Sequence, residues 1–261
     1  QNIKNNSTLA NAILNRAVLV GIDFEDVNLE NASNLVNAIL VGANLSQADL
    51  ENSDLTGALL LGANLSRTEL DNATLTGSDL SFADLRGATI ENINIDQKWQ
   101  QVWDIVNNNQ TGRQLQNQNL SCANMRDVVL VEANLRGDNL FGSDLSGADF
   151  TGADLQDGAN LIGVTLRGAI MKDTLLTGAR LKWANMAGAD LSDTDLSGTN
   201  LAEADLRGAI LIRSNLSGAD LTEAILANTQ LREAILNNAI LTEANLTEAD
   251  LHDANLSGAD L

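Results

Sequence analysis

An apolar residue returns at every fifth position along almost the whole chain. Leu9, Leu14, Leu19, Phe24 and Leu29 open the series, one extra residue within Ala32–Asn34 shifts the frame, and the period then runs from Leu35 to Ile95. It resumes from Leu115 to Leu155 and, after a second one-residue slip, from Leu161 to Leu261. Two residues before most of these positions stands Ala, Ser or Thr, as in Ala43-Asn44-Leu45 and Ala189-Asp190-Leu191. A period of five suits neither common element. On a helix each step turns the apolar residue by about 140°, smearing it around the cylinder. On a flat strand an odd spacing sends alternate leucines to opposite faces. The pattern is consistent only if the chain bends once per repeat and returns each leucine to a common interior. Gly often sits two residues after the leucine (Gly57, Gly87, Gly147, Gly218), where the bend calls for a positive φ. Coils stacked at the strand spacing then satisfy each other's backbone groups, and the absence of proline fits a ladder that needs every N–H.

Between Ile95 and Leu115 the period fails, and the helical one takes over. Trp99, Val102, Trp103 and Val106 fall at i, i+3, i+4 and i+7, one face of a helix. Asp96 is its expected N-cap, with Gly112 or one of Asn107–Asn109 as the stop.

The repeats themselves, ADLSG, ANLSQ and ADLRG, closely resemble those of the pentapeptide-repeat family, and the resemblance covers nearly everything outside 96–112. It implies an all-β fold: a right-handed quadrilateral β-helix with four repeats per coil, interrupted by one short α-helix. The frame holds 18 repeats before the gap and 30 after it. Four per coil then gives about twelve coils, roughly 55–60 Å of solenoid. The expected organisation is a lead-in at 1–8, a first solenoid block at 9–95, the helix and loop insertion at 96–112, and a second block at 113–261, together one continuous domain. A tryptophan helix between blocks of repeats resembles a cyanobacterial branch of the family.

Stacking the outward positions under this rule puts Leu19, Leu40, Leu60 and Leu80 on one side. Their neighbours point outward and are apolar: Val18 and Val20, Ile39 and Val41, Leu59 and Leu61, with Phe82 beyond. If the helix replaces one side, Leu130 returns to this file flanked by Val129 and Val131. The Trp99/Trp103 face is then expected to pack on the file and hide part of it. The helix either merely patches its own apolar ground or leaves a remainder that docks a partner. Another side brings Phe141, Ile162 and Trp183 outward in successive coils, either as a second contact patch or with Trp183 lying flat over Gly163. Glu203, Glu223 and Glu243, twenty residues apart, form an acidic stack.

Composition narrows the chemistry. A net charge of −20 argues against direct binding to nucleic acid and to anionic membranes. No apolar run approaches the roughly 18–20 residues of a membrane span. With His252 alone and one inert surface thiol, Cys122, there is no general base for nucleophilic catalysis, no zinc set and no expected cofactor. The sequence therefore reads as a non-enzymatic protein-interaction scaffold with an unidentified protein partner. The alternative is an acidic DNA mimic binding a topoisomerase such as gyrase, which resemblance to the quinolone-resistance members implies. Against it, those members resemble dimers joined through a C-terminal helix and carry projecting loops, while this chain runs in register to Ser-Gly-Ala-Asp-Leu. An uncapped coil at Leu261 is expected to mark a truncation, to be covered by further residues, or to pair end to end in a homodimer. The cytoplasm is the default compartment, and the thylakoid lumen or periplasm follows if a leader preceded Gln1.

Overall fold

A computed structural model describes residues 8–30 and 34–261. By contacts the chain divides into two units, Gln1–Asn108 and Asn109–Leu261. The frame shift expected within Ala32–Asn34 falls largely outside the described residues.

One pentapeptide, Ala63–Arg67, shows how every backbone donor is used. Ala63 N–H closes the preceding corner onto the Leu60 carbonyl at 2.9 Å, and Asn64 N–H reaches back to Ala43 in the previous coil at 2.9 Å. Leu65 and Arg67 donate forward to Asp84 and Arg86, each at 2.9 Å. The fifth donor, Ser66 N–H, has no coil to reach and goes to its neighbour's side chain, Asn64 Oδ1, at 3.1 Å. This last bond is why Asn or Asp is so common before the leucine: it satisfies the one N–H that stacking leaves out.

β-pairing is confined to single parallel bridges. Within each unit they step by 20 residues, as in Asn44↔Asn64 and Asp205↔Ile225, so four five-residue sides make a coil. Among the described residues no extended strand forms, so the solenoid is borne by isolated bridges where an all-β chain was expected. Each side gives two of its five residues to a turn and has room for only one bridging residue. Where the frame slips, the step becomes 21, as in Asn139↔Asn160. That slip is absorbed by two consecutive left-handed residues, Asp157 (φ 57°) and Gly158 (φ 77°), which place the extra residue in the corner.

All 20 glycines have positive φ, from 61° to 77°. The corner imposes this conformation on every residue type, so Phe82 (φ 58°) and Trp183 (φ 61°) adopt it as well, at a steric cost that glycine avoids. Inside, the leucines of the five-residue period from Leu29 to Leu85 and from Leu115 to Leu241 are buried, with Phe24 and Phe150 in leucine positions. Serines and threonines at the small inward position are buried without loss, because their hydroxyls donate to leucine carbonyls. Thr68 Oγ1 to Leu45 O at 2.8 Å and Thr229 Oγ1 to Leu206 O at 2.8 Å are examples.

The one helix, α1, spans Gln97–Asn107, with Asp96 at its N-cap and Asn108 at its C-cap. Its buried residues are Trp99, Val102 and Ile105, while Trp103 and Val106 are half-buried. The face is thus rotated from the one expected.

Candidate functional site

The first candidate surface lies on the first unit. Bridges link Val18 to Ile39, Ile39 to Leu59 and Leu59 to Asp79, which makes one file of the outward residues before each leucine. Val18 is 72% exposed, Val20 60%, Leu59 42% and Leu61 39%. Ile39 and Val41 are half-buried, and Phe82 stands exposed at the corner beyond. Because Val18, Ile39 and Leu59 replace the usual Asn or Asp, the N–H groups of Val20, Val41 and Leu61 have no neighbouring side-chain acceptor. They face outward between apolar side chains.

Helix α1 does not cover this file. Its anchors run across the end of the last coil of its own unit. Asp96 Oδ1 accepts the Gly77 N–H at 3.4 Å, and Trp103 Nε1 donates to the Ala88 carbonyl at 2.8 Å. Asn107 accepts from the Gly87 N–H and donates to the Leu85 carbonyl at 3.0 Å. Gly77 and Gly87 are corners two sides apart, so the helix spans the coil end diagonally and takes bonds that a further coil would make. The expectation that the Trp99/Trp103 face packs on the Val18–Leu61 file is corrected accordingly. A coil end exposes both leucine core and unpaired backbone, a stronger demand for cover than an outer wall whose backbone is already paired.

The second unit holds the remaining candidates. Val129 and Val131 are half-buried, and their file continues into Asp149 and Thr151. Phe141, Ile162 and Trp183 do share one side. Gly142 N–H donates to Ile162 O at 3.0 Å, Gly163 N–H to Lys182 O at 2.9 Å, and Trp183 N–H to Ala202 O at 3.1 Å. Trp183 does not lie over Gly163, since nothing comes within 4 Å of where a Cβ on that glycine would be. Instead, hydrogen bonding from the Trp183 side chain and then from Lys182 holds the Glu203 carboxyl below its ordinary range. Lys182 Nζ sits 4.6 Å from the Trp183 ring centre and 3.2 Å from Glu203 Oε1. Glu203, Glu223 and Glu243 follow one another up the same corner, all exposed.

One residue escaped the sequence reading. Asp138 occupies the inward position where its file elsewhere carries Ala159, Ala179 and Thr199. It is fully buried, Oδ1 accepts the Gln118 N–H at 2.8 Å, and Oδ2 has no partner. Burial pushes its carboxyl up to about 7, against the opposing pull of the Gln118 N–H. The signal was an acid at an inward position, above Gln118 and below a run of small residues in the same file.

The sequence matches the family of pentapeptide repeats in eight copies, at residues 5–33, 31–60, 53–92, 114–137, 119–157, 157–193, 189–228 and 224–261. The chain belongs to the pentapeptide-repeat family. Membership brings the right-handed β-helix solenoid with it, and the family is generally one of non-catalytic structural or interaction proteins. Similar solved structures include pentapeptide repeat proteins. One is a pentapeptide repeat protein of the Arabidopsis thaliana thylakoid lumen, 34% identical over 36% of this chain and 65% of that one, with a TM-score of 0.35. This chain thus spans just under two thirds of that plant protein. HetL of the cyanobacterium Nostoc, involved in heterocyst differentiation regulation, is 30% identical over 95% of this chain and 91% of its own, with a TM-score of 0.27. QnrB1, a plasmid-mediated fluoroquinolone resistance protein, is 16% identical over 99% and 92%, with a TM-score of 0.34. A comparison with curated proteins gave no match. No helix among the described residues is long and apolar enough to cross a membrane.

Proposed function

We propose that this pentapeptide-repeat protein is a non-catalytic interaction scaffold that presents its solenoid sides to a protein partner. The observation that carries the proposal is the Val18–Ile39–Leu59 file with its outward neighbours Val20, Val41 and Leu61, left exposed because α1 is committed to the coil end. Contiguous apolar surface of this kind marks interaction sites, and the outward N–H groups between these side chains add directional donors for a partner's acceptors. The non-catalytic part of the reading rests on the single His252 and single Cys122, too little to assemble a base and nucleophile. Affinity capture from the source organism, comparing wild type with Leu59→Asp/Leu61→Asp, tests it. The expected result is selective loss of one or a few captured proteins. Identical capture by both would remove this surface from the proposal.

A second reading, topoisomerase binding by an acidic rod, is favoured by the Glu203–Glu223–Glu243 stack and the net charge of −20. A supercoiling assay separates the two, since absence of inhibition at micromolar protein disposes of the mimic.

A further inference from the structure

We propose that the corner running from Phe141 to Glu243 docks a basic amphipathic helix, an apolar residue seated at the bare glycines and lysines or arginines laid along the glutamates. This goes beyond the apolar file of the first unit. It concerns a separate surface in the second unit and states the chemistry of what binds there, so the two can fail independently.

The lower half of the corner supplies the anchor site. At Gly142 the nearest atom to a Cβ would be Cys122 Sγ at 3.8 Å, and at Gly163 there is nothing within 4 Å. Two successive corners are therefore bare. Phe141, 47% exposed, and the half-buried Ile162 flank them, and Trp183, 55% exposed, stands above. Trp183 is kept out of the gap by its engagement with Lys182 and Glu203. A large aromatic held exposed in a left-handed conformation (φ 61°) is costly for the fold, whereas an amphipathic ring beside exposed apolar neighbours suits an interface anchor.

The upper half supplies the charge. Lys182 neutralises Glu203 at 3.2 Å, but Glu223 and Glu243 have no ion pair among the described residues. Stacked like charges repel, and a cationic partner relieves that repulsion while steering its own approach.

Spacing selects the partner's conformation. Three coil steps cover about 14 Å at the sheet spacing. Three turns of helix cover about 16 Å, but three two-residue strand steps cover about 20 Å. Over the two steps from Glu203 to Glu243, a helix with a basic residue each turn drifts by only about 1 Å, whereas an extended peptide drifts by about 4 Å, most of a coil.

The test uses the full chain and a fluorescein-labelled 18-residue amphipathic peptide with two leucines at one end and a lysine on each following turn, followed by anisotropy. Binding in the micromolar range is expected. Trp183→Ala should weaken it about tenfold, the loss that accompanies truncation of an interface anchor. Glu223→Gln/Glu243→Gln should weaken it several-fold and flatten its salt dependence. Asp173→Asn/Glu233→Gln, the same charge change at the corner two sides away, should leave it within twofold. Circular dichroism verifies each fold, and Phe141→Ser replaces Trp183→Ala if that variant unfolds. Three results would overturn the proposal: no binding, equal binding of a lysine peptide lacking the leucines, or equal weakening by the Asp173/Glu233 pair.

Discussion

Trp103 donates its indole N–H to the carbonyl of Ala88 at 2.8 Å, where the coil ladder would supply a backbone N–H. At the equivalent place two coils earlier, Glu69 N–H donates to the Ala48 carbonyl at 3.0 Å. A side chain on a helix thus completes a β-ladder, and Asn107 Oδ1 does the same for the Gly87 N–H. Trp103→Phe keeps the ring and removes the donor, and should cost about 1–2 kcal/mol. Trp99, 5% exposed, contributes burial instead, so Trp99→Ala should cost about 3–5 kcal/mol. Urea unfolding checks both. An unchanged midpoint for Trp99→Ala would show that α1 is not a structural cap.

The buried Asp138 gives the protein a pH dependence of unusual sign. Its carboxyl is raised to about 7 in the folded chain, against 3.8 as the ordinary value. The folded state therefore binds the proton more tightly than the unfolded one. The stabilisation is complete below about pH 4, declines between pH 4 and 7, and is absent above. The gap corresponds to about 4 kcal/mol. Asp138→Ala, the residue found at 159 and 179 in the same file, should be more stable than the parent above pH 7, with the difference shrinking or reversing towards pH 4. Denaturant midpoints taken from pH 4 to 8 measure this, and a parent-minus-variant difference independent of pH would contradict it.

Thr68 tests whether polar groups in the core stabilise or are merely tolerated. Its buried hydroxyl donates to the Leu45 carbonyl at 2.8 Å, and that carbonyl also accepts the Ala48 N–H at 3.1 Å. Thr68→Val preserves shape and leaves no polar atom wholly unpaired, so the loss should be about 1 kcal/mol. A loss above about 3 kcal/mol would point to packing strain instead.

What the sequence made legible follows from what repeats. The leucine period, the inward small residue and the corner after each leucine recur dozens of times, so stacking Val18, Ile39 and Leu59 needed only the arithmetic of the repeat. Features that occur once were harder to place. The apolar face of α1 could be seen, but not whether it would meet a wall or a coil end. That choice turned on the Gly87 N–H and the Ala88 carbonyl, which take their partners from α1 and which the apolar pattern does not display. The positive φ at glycine corners was readable from glycine itself, while the same conformation at Phe82 and Trp183 was hidden by their residue type. Asp138 looked like one more acid in a chain rich in acids until its slot in the frame was considered.

Phe82 brings these threads together. It holds a left-handed φ of 58° and remains 41% exposed, at a corner where Gly42 and Gly62 hold the same conformation, as Asn52 and Asn72 do two sides away. Phe82→Asn would relieve about 1 kcal/mol of backbone strain and forfeit a similar amount of partial burial. The net change in stability should therefore stay within about 1 kcal/mol, far from the 3–5 kcal/mol expected for truncating a core aromatic. If Phe82 belongs to the binding surface, the variant should keep its unfolding midpoint and lose part of the partner capture made by the Val18–Leu61 file. A large loss of stability would mean that Phe82 serves the fold, and the surface would then end at Leu61.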